Sequence, residues 1–269
     1  LQGVLSGDTV TLSAGTASAT FADKNAGQAK TVNLTGLNLS GTDASNYTLS
    51  GAASALTASI TPASLSLSGL SASDKVYDTT TAAPVSTASA QLSGLVSGDI
   101  VSVSASGSFA NKNVGTSKPV AFSANLSGTD ALNYTLSNSS GTLSASISPA
   151  TLAITGASAQ SKVYDATTSA AVSGATTSAA VSGASVAPLG ADDIGLILSS
   201  ATFADKNVGT NKPVSATYTL SGTDAGNYTL LQPTSLSADI SARSLSVAGL
   251  SVSDKVYDGT TSATLSGLA

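Results

Sequence analysis

Gly128-Thr-Asp-Ala-Leu-Asn-Tyr-Thr-Leu136 is one of three nearly identical stretches in this chain of 269 residues. The same pattern begins at Gly41 and again at Gly222, so the intervals between copies are 128 − 41 = 87 and 222 − 128 = 94 residues. A stretch that returns at a nearly fixed interval is the sequence signature of tandem domains. We name it the NYTL marker.

Two further markers keep the same order along the chain. The KVYD marker, Lys-Val-Tyr-Asp, begins at Lys75, Lys162 and Lys255, with intervals of 162 − 75 = 87 and 255 − 162 = 93 residues. The KNxG marker, Phe-Ala-Asp/Asn-Lys-Asn-x-Gly, begins at Phe21, Phe109 and Phe203. Three markers that share one order and one period predict successive copies of a single domain of roughly ninety residues.

The markers divide the chain into repeats, and each cycle closes on an alternating stretch such as Ile147-Ser-Pro149. The predicted boundaries are a partial first repeat at 1–62 that lacks its first strand, complete second and third repeats at 63–150 and 151–242, and a tail at 243–269 that supplies the opening strands of a further repeat. An exposed edge is expected at each end, which either lacks order or pairs with another molecule.

The third repeat is longer than the second because Thr168–Ala175 is repeated by Thr177–Ala184. Added length is tolerated best where it costs little loop-closure entropy. The duplication therefore predicts a surface loop or hairpin insertion near 168–184.

Apolar residues of the second repeat alternate with Ser, Thr or Asn, which predicts half-buried strands. The predicted strands are at 65–67, 101–105, 120–126 and 143–147, with shorter ones at 76–77 and 134–136. One wet and one buried face favours antiparallel pairing, and all fifteen acidic residues are Asp, which disfavours long helices. The predicted fold class is all-β, as tandem repeats with largely antiparallel sheets in an extended rod.

Composition narrows the function. The chain has no Cys, His, Met or Trp, which removes the usual nucleophile–base pairs and the thiolate and imidazole metal sites. We expect no catalysis and no cofactor, unless a pair of Asp carboxylates roughly 5–10 Å apart lies in a cleft. A formal charge of −5 with ten basic residues disfavours nucleic-acid binding. No run of about 18 apolar residues predicts a membrane span.

The KVYD marker is interpreted as structural. Asp78 is expected to cap a turn with its carboxylate, next to a half-buried Tyr77. Because Thr79, Ala166 and Gly259 share the position after the Asp, no positive φ is expected there.

The NYTL marker is interpreted in the same way. Thr129 or Asp130 is placed to cap a single helical turn, and Asn133 is expected to end it in the left-handed conformation. The marker positions given a structural role are Lys75, Tyr77, Asp78, Phe109, Asn113, Gly115, Asp130, Asn133, Tyr134, Lys162, Tyr164, Asp165, Phe203, Asn207, Gly209, Asp224, Asn227, Tyr228, Tyr257 and Asp258.

Three alternatives give these residues a chemical role. Asp130 and Asn133 could form a sugar- or ion-binding loop, since loops carry function. Asp205-x-Asn207-x-Gly209 has the spacing that opens a calcium loop, so calcium between repeats is the second alternative, although further oxygen ligands are missing. The third is a Lys–Asn isopeptide crosslink such as Lys75 with Asn133.

The residues Lys255-Val-Tyr-Asp-Gly-Thr-Thr261, Phe203–Gly209 and Leu220–Leu230 resemble the YDG repeat, which is related to the mostly-β-grasp repeats. The resemblance covers nearly the whole chain, although only Tyr257-Asp258-Gly259 has the name-giving triplet. It implies a β-grasp-like unit in a large exoprotein of Gram-negative bacteria, often of the filamentous-haemagglutinin type secreted by the two-partner route. It assigns no catalytic residues.

Two functions from different classes follow as hypotheses. In the first, repeats in series form the stalk of an extracellular adhesin, each repeat having its neighbours as partners. In the second, the repeats themselves bind host or matrix glycans, or like repeats on a neighbouring cell, as in a biofilm. The first is preferred, because most aromatic residues lie inside the markers rather than in an exposed cluster.

Overall fold

A computed structural model describes residues 1–50, 56–181, 184–186 and 189–267. These residues form two compact units, one of Leu1–Val76 with Thr80–Ser148 and one of Tyr77–Thr79 with Pro149–Ala269. The described part contains no α-helix and three single-turn 3-10 helices, Ala44–Asn46, Ala131–Asn133 and Ala225–Asn227. Most strand pairs are antiparallel, so the prediction of an all-β fold with largely antiparallel sheets is confirmed.

The first repeat supplies five strands to the first unit. They are β1 (Thr11–Ser13), β2 (Ser18–Phe21), β3 (Gly27–Thr35), β4 (Asn38–Ser40) and β5 (Thr57–Ile60). β1 pairs with β4, while β2, β3 and β5 form a three-stranded sheet in that order.

The second repeat completes the first unit. Its strands are β6 (Ala63–Ser68), β7 (Ser71–Ala72), β8 (Lys75–Val76), β9 (Ala82–Ala83), β10 (Val85–Ser86), β11 (Gln91–Ser93), β12 (Ser102–Phe109), β13 (Gly115–Ser127), β14 (Tyr134–Leu136) and β15 (Ser140–Ser148). The largest sheet has the order β8-β15-β13-β12-β9, and a smaller one has the order β11-β6-β14. The six strands predicted for this repeat each have a counterpart among them.

The second unit repeats this plan. Its strands are β16 (Ala150–Thr155), β17 (Ser158–Gln160), β18 (Lys162–Val163), β19 (Ala171–Ser173), β20 (Thr176–Val181), β21 (Ala184–Val186), β22 (Gly195–Phe203), β23 (Gly209–Ser221), β24 (Tyr228–Leu231), β25 (Leu236–Ser241), β26 (Ser251–Val252) and β27 (Leu265–Ser266). The sheets have the orders β18-β25-β23-β22 and β21-β20-β16-β24, and β26 and β27 of the tail pair only with each other. Most of the duplicated segment lies in β19, β20 and β21, while residues 182–183 fall outside the described part.

Two parallel pairs in each complete repeat join its beginning to its end. β14 runs parallel to β6 with Tyr134 opposite Ala63, and β24 runs parallel to β16 with Tyr228 opposite Ala150. β8 and β18, which carry the KVYD markers, run parallel to β15 and β25. The opening strands of a repeat are therefore held by its closing strands.

The core lies on the inward faces of the long strands, because alternate side chains of a strand point to opposite faces. Leu65, Val120 and Leu152 are fully buried. In the third repeat, Phe203, Val214, Ala238 and Ile240 form one buried cluster, against which Ala159, Tyr164, Ala170, Val172 and Leu236 pack. The opening segment of the repeat thus covers the Phe of the KNxG marker.

The residue after the KVYD marker has a left-handed backbone in all three copies. Its φ is 68° at Thr79, 67° at Ala166 and 70° at Gly259. The expectation that no positive φ is needed there is therefore wrong. Only glycine adopts this conformation without steric cost, which explains Gly259, whereas Thr79 and Ala166 are strained.

Replacing Ala166 by Gly should stabilise the second unit by about 0.5–1 kcal/mol. Relief of a left-handed alanine is worth roughly 1–2 kcal/mol, from which about 0.4–1 kcal/mol is lost because glycine makes the unfolded chain more flexible. Urea unfolding followed by tyrosine fluorescence would measure the change. Ala171→Gly, at an exposed position in β19 without positive φ, is the matched control and should instead destabilise. A lower midpoint for Ala166→Gly would contradict the assigned conformation.

Candidate functional site

The KNxG marker folds into a turn that a lysine outside the marker closes. The carboxylate of Asp205 accepts a hydrogen bond from the Asn207 backbone N–H (2.8 Å) and an ion pair from Lys212 Nζ (2.5 Å). The strand has a bulge between Gly209 and Lys212, and a Cβ on Gly209 would lie 3.2 Å from the Lys212 side chain. Glycine at the end of the marker therefore leaves room for the lysine.

The other two copies of this turn have the same lysine. Lys30 pairs with Asp23, and Lys118 donates to the Asn111 side chain (2.7 Å) and to the carbonyl of Asn113. Sequence reasoning missed these lysines, although a Lys recurs three residues after each marker Gly. Since Asn111 replaces the Asp in the second repeat, the turn does not depend on a carboxylate.

The KVYD marker forms a second turn, which its own lysine closes. Asp165 Oδ1 accepts hydrogen bonds from Lys162 Nζ (2.8 Å), the Thr167 N–H (2.9 Å) and the Thr167 hydroxyl (2.8 Å). The Lys162 hydrogen bond is the main reason why the pKa of Asp165 lies well below its ordinary value. Lys162 Nζ also lies 5.5 Å from the centre of the Phe203 ring, a distance typical of a cation–π contact.

The equivalent residues of the other copies have related contacts. Lys75 Nζ donates to the carbonyl of Thr80 (2.9 Å) and lies 5.8 Å from the centre of the Phe109 ring. In the tail, Lys255 and Asp258 pair at 2.8 Å. The turn therefore forms even where no further strands of the repeat surround it.

The NYTL marker begins with the predicted single helical turn, but its polar residues act differently from the prediction. Asp130 stands at the N-cap without capping the turn, and its Oδ2 instead accepts the Ile100 N–H at 2.9 Å. Asn133 does not have a positive φ, so its assignment as a left-handed terminator is wrong. Asp224 makes the corresponding bond to the Asp193 N–H at 3.1 Å, and Asn227 is buried.

The tyrosine of the NYTL marker donates its hydroxyl to an aspartate that the sequence analysis did not single out. The three pairs are Tyr47 with Asp8 (2.6 Å), Tyr134 with Asp99 (2.7 Å) and Tyr228 with Asp192 (2.7 Å). The available signal was the spacing, because the aspartates are separated by 99 − 8 = 91 and 192 − 99 = 93 residues. We name these Asp–Tyr pairs.

The Asp–Tyr pair of the second repeat is also where the first repeat attaches. Lys24 of the first KNxG marker places its Nζ 2.7 Å from Asp99 Oδ1 and 3.6 Å from Asp130 Oδ1. The Ala26 N–H donates to Asn133 Oδ1 at 2.8 Å, and Asn133 Nδ2 lies 3.3 Å from Asn25 Oδ1. We name this set of contacts the joint. It brings together two of the three markers from successive repeats.

The electrostatics of the joint favour the ionised carboxylate. The hydrogen bonds from Lys24 and, next, from Tyr134 lower the pKa of Asp99 below its ordinary value. The same carboxylate raises the pKa of Lys24 and that of Tyr134. The Lys24 side chain is 70% exposed, so the ion pair is screened by solvent and orients the joint more than it stabilises it.

In the second unit, two tyrosines share one carboxylate. Tyr77 of a KVYD marker is 2% exposed and donates its hydroxyl to Asp192 Oδ2 (2.6 Å), the atom that also accepts from Tyr228. The two rings meet edge to face with centroids 5.3 Å apart. Burial, and next the Asp192 hydrogen bond, raise the pKa of Tyr228 far above its ordinary value.

The structure gives the residues of the three chemical alternatives other partners. In the calcium-like turn, Asp205 is paired with Lys212, and no cluster of three metal-ligating side chains occurs in the part of the chain that the structure describes. Asn133 engages the first repeat, while Lys75 binds Thr80. Within the described residues, no helix has the length and apolar character that a membrane crossing requires.

Comparison with known families gives a match to the YDG domain over residues 1–55, 61–142 and 148–236. The chain belongs to the YDG domain family. No curated protein and no solved structure matches it. The left-handed position after the KVYD aspartate gives the glycine of the YDG triplet a physical reason.

Within this YDG chain, replacing Lys24 by Gln should raise the pKa of Asp99 toward its ordinary value of about 3.9. A carboxyl whose pKa is lowered by folding stabilises the folded state above its unfolded pKa, and this contribution is lost as the pH falls through the folded pKa. The joint should therefore weaken below about pH 4. NMR titration of the side-chain carboxyl measures the midpoint. Lys206→Gln, at the same position of the third marker, should leave Asp99 unchanged. Equal midpoints in the parent chain and Lys24→Gln would mean that the pair does not form.

Replacing Tyr228 by Phe should destabilise the second YDG unit by about 1–2 kcal/mol, because a buried hydrogen bond to a carboxylate is lost. The ring and its contact with Tyr77 are retained. Chemical denaturation measures the change, and Tyr257→Phe, at a side chain that is 93% exposed, is the control that should be neutral. Equal stability of the two variants would contradict the role given to the Asp–Tyr pair.

Proposed function

We propose that this chain is a structural spacer without catalytic activity, in which YDG repeats in series hold another part of a large surface protein away from the cell. The observation that carries the proposal is the joint. Lys24, Asn25 and Ala26 of the first repeat contact Asp99, Asp130 and Asn133 of the second. A spacer needs such an attachment, because flexible linkers between domains would let the string collapse.

A second line of support is the use made of the marker side chains. The carboxylates of Asp165 and Asp205 are bound by Lys162 and Lys212, and that of Asp192 accepts two tyrosine hydroxyls. Groups that build the fold are less available to bind a ligand. The polar residues of the markers therefore fit a mechanical role better than recognition.

The finer parts of the proposal come from the family resemblance. We propose an extracellular location on a Gram-negative bacterium, in an adhesin of the filamentous-haemagglutinin type secreted by the two-partner route, with a role in adhesion or biofilm formation. The β-grasp-like character of each repeat and an extended, rod-like arrangement of the repeats belong to the same proposal.

Small-angle X-ray scattering, extrapolated to zero concentration, tests the spacer. A compact chain of this length would have a radius of gyration of about 18 Å, and a spacer should have a value well above it. A glycan array probed with the same sample should be negative. A radius near 18 Å would overturn the spacer, and saturable binding to one class of glycan would favour the repeats as binding modules instead.

A further inference from the structure

The tail has the sequence of an opening segment without its packing. Residues 242–260 align without gaps with 62–80 and 149–167, since 242 − 62 = 180 and 242 − 149 = 93. Leu245 is 91% exposed, whereas its equivalents Leu65 and Leu152 are fully buried. Tyr257 is 93% exposed, whereas its equivalent Tyr77 is 2% exposed. The tail thus presents apolar side chains that the complete repeats bury.

The first repeat has the complementary deficiency, an open edge on its sheet. β15 and β25 each lie between two strands, one of which carries a KVYD marker, while β5 pairs with β3 alone among the described residues. Tyr47–Leu49 has no strand partner, whereas the equivalent β14 and β24 each pair with the opening strand of their repeat. An unpaired edge is a template for another chain.

The core of the first repeat is open as well. Phe21 is 38% exposed, whereas Phe109 and Phe203 are each 3% exposed. In the third repeat the opening segment, through Ala159 and Tyr164, covers the Phe203 cluster. The first repeat therefore lacks the layer that the tail contains.

A cavity marks where the missing strand belongs. It measures about 370 Å³ and is lined by Leu1, Val10, Leu39, Tyr47 and Leu49 among others. In the second repeat, the residues that match Leu49 and Leu1 are Leu136 and Leu92, which lie opposite Leu65 and Leu67 across the strand pairs. The cavity is thus the counterpart of the space that Leu65 and Leu67 fill.

We propose that the tail of one molecule completes the first repeat of a second copy of this chain. Transferring the register of the complete repeats places Arg243 opposite Tyr47, Leu245 opposite Leu49 and Lys255 opposite Ile60. Leu245 and Val247 enter the cavity, and Lys255-Val256 pairs in parallel with the free edge of β5. The interface is the interior of a repeat and repeats at each end, so the product is an open head-to-tail chain.

Tyr257 supports this arrangement independently. In the second unit, Tyr77 packs on Tyr228 and donates to Asp192, the Asp–Tyr pair of the following repeat. At the Asp–Tyr pair of the second repeat, Asp99 and Tyr134, the equivalent place is a cavity of about 280 Å³ lined also by Ile60, Ala63 and Val96. A tail that completes the first repeat brings Tyr257 to this cavity. One placement therefore fills both cavities.

The proposal does not depend on the spacer function, because it concerns completion of a fold and not what the repeats carry. It is tested with the full chain, which contains no cysteine. Thr48→Cys and Ser244→Cys, prepared separately and mixed under mild oxidation, should form a covalent heterodimer, since their equivalents Thr135 and Ser64 are paired residues. Thr48→Cys mixed with Ala248→Cys is the control, four residues out of register, and should crosslink at a rate at least tenfold lower. Equal rates for the two mixtures would overturn the proposed register.

Sedimentation velocity tests the association itself. The parent chain should show a weight-average sedimentation coefficient that rises with concentration. Leu245→Asp should abolish the rise, because a carboxylate would enter an apolar cavity. The matched control Ser246→Asp adds the same charge one residue later, at a position whose equivalent Ser66 is exposed, and should associate like the parent. A parent chain that stays monomeric, or a Leu245→Asp variant that associates equally well, would overturn the proposal.

Discussion

A tyrosine hydroxyl bound to an aspartate carboxylate is the interaction on which each repeat depends. It ties the NYTL marker to a loop about 36 to 39 residues earlier in the chain, as in the pairs of Asp99 with Tyr134 and Asp192 with Tyr228. A carboxylate with a side-chain exposure of 9%, such as that of Asp99, needs hydrogen-bond donors because burial removes water from it. The tyrosine supplies one donor and places a ring in the core at the same time.

The same carboxylate also explains how successive repeats are attached. Lys24 reaches the second oxygen of Asp99, and Asn133, the residue before Tyr134, accepts the Ala26 N–H. Folding of the NYTL marker therefore prepares the surface on which the preceding repeat docks. A chain in which only 9% of residues are charged can afford this arrangement, since few other charges compete for the same partners. Within the first unit, the markers act in pairs across the repeats.

Much of the fold could be predicted from the sequence because alternation is a local signal. The strands around Val120 and Ile147 follow from period-two patterning. The strands of two or three residues, such as β7 and β9, are too short to alternate and were missed. The parallel pairing of β6 with β14 joins residues about seventy apart, a tertiary choice that no window of sequence contains. The left-handed Thr79 was misjudged because Thr and Ala occupied a position where glycine was the informative residue. Asp99 was missed because its partner lies far along the chain.

A double-mutant cycle between Lys24 and Asp99 tests the central claim most directly. The stability of the first unit would be measured for Lys24→Gln, Asp99→Asn and the combined variant, above and below the pKa of the carboxyl. The account predicts that the two changes are not additive at neutral pH and become additive when the carboxyl is protonated, because the pair then no longer exists. Additive effects at neutral pH would mean that the repeats are not joined through this carboxylate.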